Sequence, residues 1–117
     1  MRLRYKNKEI TVTTTSNKQI MRYKFPKLYY AIVINNCNRY SSIVSKQRVD
    51  VVMVDDKLTI LSIKKDMHEN TVFENKKATK TIILPLNYYD NLEINTKFDI
   101  ITQRRGSDTF ATKDKTK

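Results

Sequence analysis

The sequence predicts an α+β domain: a mainly antiparallel, barrel-like β-sheet with one or two short helices. Three observations predict it. Strand-length runs of β-branched and apolar residues recur along the chain, among them EITVTTT at 9–15, VDVVMV at 49–54 and TKTIIL at 79–84. Asparagine, aspartate and proline punctuate those runs at short intervals. Only two stretches, 18–22 and 86–92, suit a short helix. The spacing of strands and turns does not suit a nucleotide-binding βαβ unit, and no glycine-rich phosphate loop is present.

The elements follow in order. Residues 9–15 form a strand, broken by Ser16-Asn17, either of which can cap a helical turn over 18–22 that ends at Phe25-Pro26. Residues 27–36, KLYYAIVINN, are too apolar for a solvent-washed strand and read as buried on both faces. Asn35, Asn36 and Asn38 turn the chain around Cys37. Residues 40–45 and Val49–Val54 are strands. Asp55-Asp56-Lys57 is a tight turn, and residues 58–63 return as the second arm of a hairpin. Residues 64–77 read as a polar loop with one short extended piece. Residues 79–84 form a strand stopped by Pro85. Residues 86–92 are a short helix with Asn87 at its N-cap, and 96–102 the last strand. Gly106 is the only glycine, so the ten asparagines are expected to supply the turns, because Asn tolerates left-handed backbone better than most residues.

At 117 residues the chain is one domain by length. Residues 1–103 are read as a single β-rich domain, and the charged 104–117 as a disordered basic tail. No apolar run approaches the ~20 residues needed to cross a bilayer, and MRLRYKNKEI lacks the apolar stretch of a signal peptide. A cytoplasmic protein without a membrane contact is the expectation. The single cysteine forbids an internal disulfide.

The net charge of +11 is uneven: +7 over residues 1–27, +1 over 28–103 and +3 over 104–117. Arg2, Arg4, Lys6 and Lys8 alternate, so in an extended segment all four would share one face, about 6–7 Å apart. That is near the phosphate spacing of a nucleic-acid strand and would give salt-sensitive binding. The structural alternative is an edge strand or frayed end kept soluble by its charges. Arg22, Lys24, Arg104 and Arg105 are the other cations read as part of a surface for nucleic acid or an acidic protein. An AT-rich coding sequence would also enrich Lys and Asn.

Asp50 interrupts an apolar strand, so its carboxylate must be hydrogen-bonded or paired. It is either an acid/base or ligand-binding group, or an anchor for backbone N–H groups, Lys46 or Arg48. Cys37, Asn38 and Ser41 complete a candidate polar site. Cys37 as nucleophile would need a base, and the only histidine, His68, lies in a different segment; a small buried hydrophobe is the simpler role. One Cys and one His cannot make a structural zinc site, and Asp55-Asp56 reads as a turn rather than a cation site. No metal, cofactor or catalytic residue is assigned. Tyr29-Tyr30 and Tyr88-Tyr89 are either core residues with a wet hydroxyl or base-stacking platforms.

The segment from Cys37-Asn38 through Val49-Asp50-Val51-Val52 to Asp55 resembles the central motif of the small bacterial and archaeal family known as domain of unknown function 192. Leu84-Pro85, Leu92, Ile94, Asp99 and Ile100 match that family's C-terminal strand–turn–helix–turn–strand, and Ile20-Met21-Arg22 is similar to its Gly-Leu-Met turn. The resemblance covers residues 10–102. Ser41 stands where the family commonly has His, Ser45 replaces Met, Arg48 replaces Pro, and both glycine turns and any tryptophan are missing. It therefore implies a fold and no activity.

These readings leave a non-enzymatic binding or accessory domain contacting an acidic partner through its basic ends. The alternatives are a non-specific nucleic-acid-binding protein, a mobile-element-encoded inhibitor, or an enzyme using Asp50 in a pocket. Residues 9–15 could also offer an edge to a second copy.

Overall fold

A computed structural model describes residues 1–16, 28–41, 48–67 and 71–102. Nine strands lie in those residues: β1 (Arg2–Tyr5), β2 (Lys8–Thr15), β3 (Ala31–Asn35), β4 (Arg39–Ser41), β5 (Val49–Val54), β6 (Ile60–Met67), β7 (Val72–Glu74), β8 (Lys80–Pro85) and β9 (Asp99–Ile101). Seven of them form one sheet in the order β6-β5-β8-β3-β2-β1-β9, and β4 pairs with β7 in a separate ribbon. Every pairing is antiparallel except β2 with β3.

No helix occurs among the described residues, so the domain is all-β rather than α+β. The helix expected over 86–92 is a series of turns. Asn87 adopts φ 59°, which is incompatible with a helix N-cap. Tertiary demand overrides the local signal here, since the Asn87 N–H is drawn to the buried carboxylate of Asp50 at 2.8 Å. The helical turn expected over 18–22, the strand residues 42–45 and the tail 104–117 lie outside the described residues.

The sheet curls into a half-barrel. Its two edges meet at one end: Ile60 N–H donates to Thr96 O at 2.8 Å, Asn95 N–H to Ile60 O at 2.9 Å, and Phe98 N–H to Leu58 O at 3.1 Å. The concave side encloses Leu3, Tyr5, Ile10, Val12, Val33, Val52, Val54, Ile82, Leu84, Tyr89 and Phe98. A second core lies on the convex side over β3, β8 and β5, where Ile32, Ile34, Val51, Met53 and Ile83 pack with Leu28, Cys37, Tyr40, Ala78 and part of Phe73. Being covered on both faces, β5 is buried at all six positions, which accounts for its unbroken apolar text.

The other boundaries show how far local patterning reaches. β5 spans the expected residues, while β6 runs on through Lys64 and Lys65 to Met67, where a loop was expected. It does so because β5 continues to pair with it across a bulge: Val51 faces Lys64 and Val49 faces Met67, so β6 carries one extra residue. Asp66 takes φ 56° there. The bulge and the two lysines also protect this long edge strand from pairing with another chain.

The N-terminal segment is neither an edge nor frayed, because β1 lies between β2 and β9. β2 is an interior strand as well, pairing with β1 over residues 8–11 and with β3 over residues 12–15.

Asparagine supplies three of the six left-handed residues among those described, Asn36, Asn87 and Asn95. Lys6, at φ 57°, opens the two-residue β1–β2 turn without that tolerance. Lys6→Gly should therefore raise stability by about 1 kcal/mol, seen as a higher urea midpoint with an unchanged slope. An unchanged or lower midpoint would show that the turn is not strained at Lys6. The β5–β6 turn is held by Asp55, whose Oδ1 accepts the Thr59 N–H at 3.0 Å and the Lys57 N–H at 2.9 Å. The Thr59 bond, first among several, lowers the Asp55 pKa. Its contribution to stability is thus present above about pH 4 and fades as pH falls through the lowered value.

Candidate functional site

The expected polar site is not one place. Alternation along β5 puts Asp50 on the same side as Val52, opposite Leu84 of β8. Its neighbours are the β6 bulge and the turn after β8. Cys37 instead belongs to the convex core and contacts the start of β8, through Cys37 N–H to Thr79 O at 3.0 Å and Thr81 Oγ1–H to Cys37 O at 3.0 Å. The Asn38 carbonyl accepts the Asn75 N–H at 3.0 Å, and Ser41 pairs with Val72 in the β4–β7 ribbon.

Asp50 is fully enclosed. Its Oδ1 accepts the Asp66 N–H at 2.8 Å; its Oδ2 accepts the Asn87 N–H at 2.8 Å and lies 2.7 Å from Lys65 Nζ. Lys65 also donates to Tyr89 O at 3.0 Å. The partners foreseen for Asp50 are not those it has. Lys46 lies outside the described residues, and Arg48 makes a two-pronged bond to the Asp66 carboxylate at 2.6 and 2.5 Å. An enclosed carboxylate with two backbone donors and an ammonium is an anchor tying β5 to the bulge and to the β8 exit. It has no open side for a substrate.

Cys37 is likewise buried, and its Sγ–H donates to Arg39 O at 3.3 Å. His68 lies outside the described residues. Among the described residues no group of three His, Cys, Asp or Glu side chains could hold a metal ion, and no helix is long and apolar enough to cross a membrane.

The basic N-terminus does build a surface, though not as one stripe. Arg2 and Arg4 point to the convex side of β1, alternating with buried Leu3 and Tyr5. The turn at Lys6-Asn7 then reverses the chain, and Lys8 pairs with Tyr5, which places it on the concave side. The alternation rule holds only while the chain stays extended. Arg2 Nε bonds Glu9 at 2.9 Å, Arg4 lies 3.9 Å from Asp99, and Lys6 lies 3.9 Å from Glu93. Lys8 donates to Tyr88 O at 2.6 Å and sits 4.2 Å from the centre of the Tyr88 ring. Arg22, Lys24, Arg104 and Arg105 lie outside the described residues. The described residues hold thirteen Lys and Arg against nine Asp and Glu, so +4 of the +11 resides in them.

The residues that sequence reasoning undervalued are the tyrosines. Tyr5, Tyr88, Tyr89 and Phe98 form an aromatic cluster of three edge-on pairs and one tilted pair, with centroid separations of 4.9–5.9 Å, plugging the concave side beneath the loop 86–95. The Tyr5 hydroxyl donates to Asn91 O at 3.2 Å, accepts the Glu93 N–H at 3.1 Å and bonds Thr96 Oγ1 at 2.8 Å. Tyr89 shares its proton between Lys8 O at 3.0 Å and Leu3 O at 3.3 Å, and Tyr88 donates to Glu9 O. The Tyr88-Tyr89 doublet was the available signal, read as core or platform; Tyr89 is core, and Tyr88 is half-buried against it.

Burial pushes the pKa values of Tyr40 and Tyr89 upward. A folded-state value above the unfolded ~10 means their contribution to stability is intact below pH 10 and lost as pH rises through the raised value. Both should ionise only as the fold opens, in an alkaline absorbance titration followed alongside circular dichroism. Ionisation of all seven tyrosines near pH 10 with the fold intact would contradict their burial.

The fold and the site define an all-β, half-barrel domain with a basic hairpin and an enclosed carboxylate anchor. No protein-family model matches the chain, and no curated protein or solved structure matches it.

Proposed function

We propose that this protein is a small, non-enzymatic binding domain that contacts an acidic partner through its basic ends. The observation that carries the reading is the exposed convex face of β1 and β2. There Arg2 stands opposite Thr11 and Arg4 opposite Glu9, away from the second core that covers β3, β8 and β5. Their acidic neighbours hold them loosely: the paired side chains are 36–66% exposed, and such pairs contribute ~0–1 kcal/mol. A partner's anions can therefore replace Glu9 and Asp99. A cytoplasmic location and divergent membership of the domain of unknown function 192 family, on Cys37-Asn38 and Val49–Asp55, belong to the same reading. The family likeness supports fold rather than chemistry.

Nucleic acid is the second reading, favoured by the spacing of Arg2 and Arg4, about 6–7 Å apart along an extended strand. The Thr11 hydroxyl, which accepts from Arg2 at 3.1 Å, is a group of the kind that contacts phosphate.

The test is salt-titrated binding of mixed-sequence single- and double-stranded nucleic acid. It compares the full chain with the Arg2→Gln/Arg4→Gln double variant and with a chain lacking 104–117. Removing 1–8 is unsuitable, because it deletes an interior strand. Binding that weakens with salt, with the logarithmic slope reduced by about 1.5 in the double variant, supports a nucleic-acid partner on this face. No binding at low salt turns the reading to an acidic protein. Binding unchanged in the double variant removes this face from it.

A further inference from the structure

We infer that the β4–β7 ribbon is a flap that lifts as a unit from the convex core and exposes Cys37 to low-molecular-weight disulfides, which makes the fold sensitive to redox state. The ribbon stands apart from the seven-stranded sheet and pairs over three residues a side, Arg39 with Glu74, Tyr40 with Phe73 and Ser41 with Val72. A two-stranded ribbon of that length is marginal in water on its own. Tyr40 and Phe73 hold it down by packing into the core around Cys37, and Asn75 Nδ2–H donates to Ser62 Oγ at 3.2 Å.

The seat of the ribbon is imperfect. Tyr40 is 2% exposed, yet its hydroxyl has no hydrogen-bond partner among the described residues, and neither has the buried Oγ1 of Thr79. Both residues adjoin Cys37. Thr79 O accepts the Cys37 N–H at 3.0 Å. The Tyr40 pKa is pushed upward first by burial and then by the neighbouring Cys37. The concave side is different, since the hydroxyls of Tyr5, Tyr88 and Tyr89 are all bonded. A buried hydroxyl without a partner regains its hydrogen bonds when water reaches it, so it favours the lifted state. Short pairing and unpaired polar groups in one unit mark a part of the fold that opens below global unfolding.

Closed, the flap shields the thiol, because Cys37 is wholly buried. Lifted, Cys37 loses its proton to solvent, and its thiolate attacks a disulfide. One S–S bond forms and one breaks, and the released thiolate leaves with the electron pair. The adduct holds the flap open, because a glutathionyl group on Sγ does not fit a close-packed core. A reducing thiol reverses the exchange and lets the flap close. The device is separate from the binding face on β1 and β2, and the two can fail separately.

The experiment follows labelling of Cys37, the only cysteine, by dithiobis-nitrobenzoate at increasing urea. It compares the unchanged chain with Tyr40→Phe and with Val12→Ala, which lies in the concave core rather than under the ribbon. Labelling below the unfolding transition should depend only weakly on urea, because little surface is exposed when the ribbon lifts. Its rate should be the same in Val12→Ala, although the urea midpoint of that variant falls. It should slow roughly tenfold in Tyr40→Phe, where no hydroxyl remains to be hydrated. After exchange with glutathione disulfide, the amides of Arg39–Ser41 and Val72–Glu74 should lose protection from hydrogen exchange while those of Val49–Val54 keep it. Labelling that accelerates in Val12→Ala, or a rate unchanged in Tyr40→Phe, overturns the flap. So does a glutathionylated protein whose ribbon stays protected or whose Val49–Val54 strand is exposed with it.

Discussion

Asp50→Ala should lower the unfolding free energy by about 3–5 kcal/mol, the range for removing one member of a buried ion pair. Two backbone N–H groups, of Asp66 and Asn87, lose their acceptor, and Lys65 loses its counter-ion. Against a typical total of ~5–15 kcal/mol, the variant would be marginally folded. Asp50→Asn keeps the shape and one acceptor and should cost roughly half as much. Lys65→Met should cost least, because the lysine side chain is 38% exposed while the carboxylate keeps both backbone donors. Urea unfolding of the three variants gives the order. If Lys65→Met matched Asp50→Ala, the ion pair rather than the backbone anchoring would be the source of the stability. The same experiment bears on function: in a chain that used Asp50 chemically, its replacement would spare the fold.

Tyr89→Ala should cost about 3–5 kcal/mol through the cavity it leaves in the concave core, where the ring meets Tyr5, Tyr88 and Phe98 edge-on. Tyr89→Phe removes only the proton shared between Lys8 O and Leu3 O and should cost about 1 kcal/mol. The large gap between the two variants is the diagnostic, read as shifts in urea midpoint at constant slope. Near-equal losses would mean that the hydroxyl, not the ring, holds the loop 86–95 over the half-barrel. Amide exchange of residues 88–96 should accelerate in Tyr89→Ala beyond the global change, because this loop is fastened by side chains rather than by a strand ladder.

How much of this was legible beforehand differs from element to element. Val49–Val54 and its hairpin turn were readable because a strand buried on both faces leaves an unbroken apolar run, and Asp55 caps its own turn from within the turn. The burial of Ile32, Val33 and Ile34 followed from the same logic. Asp50 stood out as a charge within that run, and the rule that such a charge needs partners held. Which partners it has was not readable, since Lys65 and Asn87 lie far along the chain and the bulge at Asp66 has no local signature. The helix over 86–92 had acceptable local text, yet Asn87 and Tyr89 are committed elsewhere. The four N-terminal cations looked like one stripe because the alternation was counted through a turn.

From its own residues, this chain determined where most strands run, that asparagine would supply many turns, and that its charge collects at the ends. These are near-neighbour properties: side-chain alternation, backbone tolerance and composition act over a few residues. The tertiary contacts determined that β1 is an interior strand, that the sheet curls until Ile60 meets Thr96, that no helix forms before β9 among the described residues, and that the basic side chains divide between two faces. Each of these depends on pairs such as Tyr5 with Thr96, 91 residues apart. A partner at that distance leaves no period in the sequence; it enters only through the register of strands already assembled.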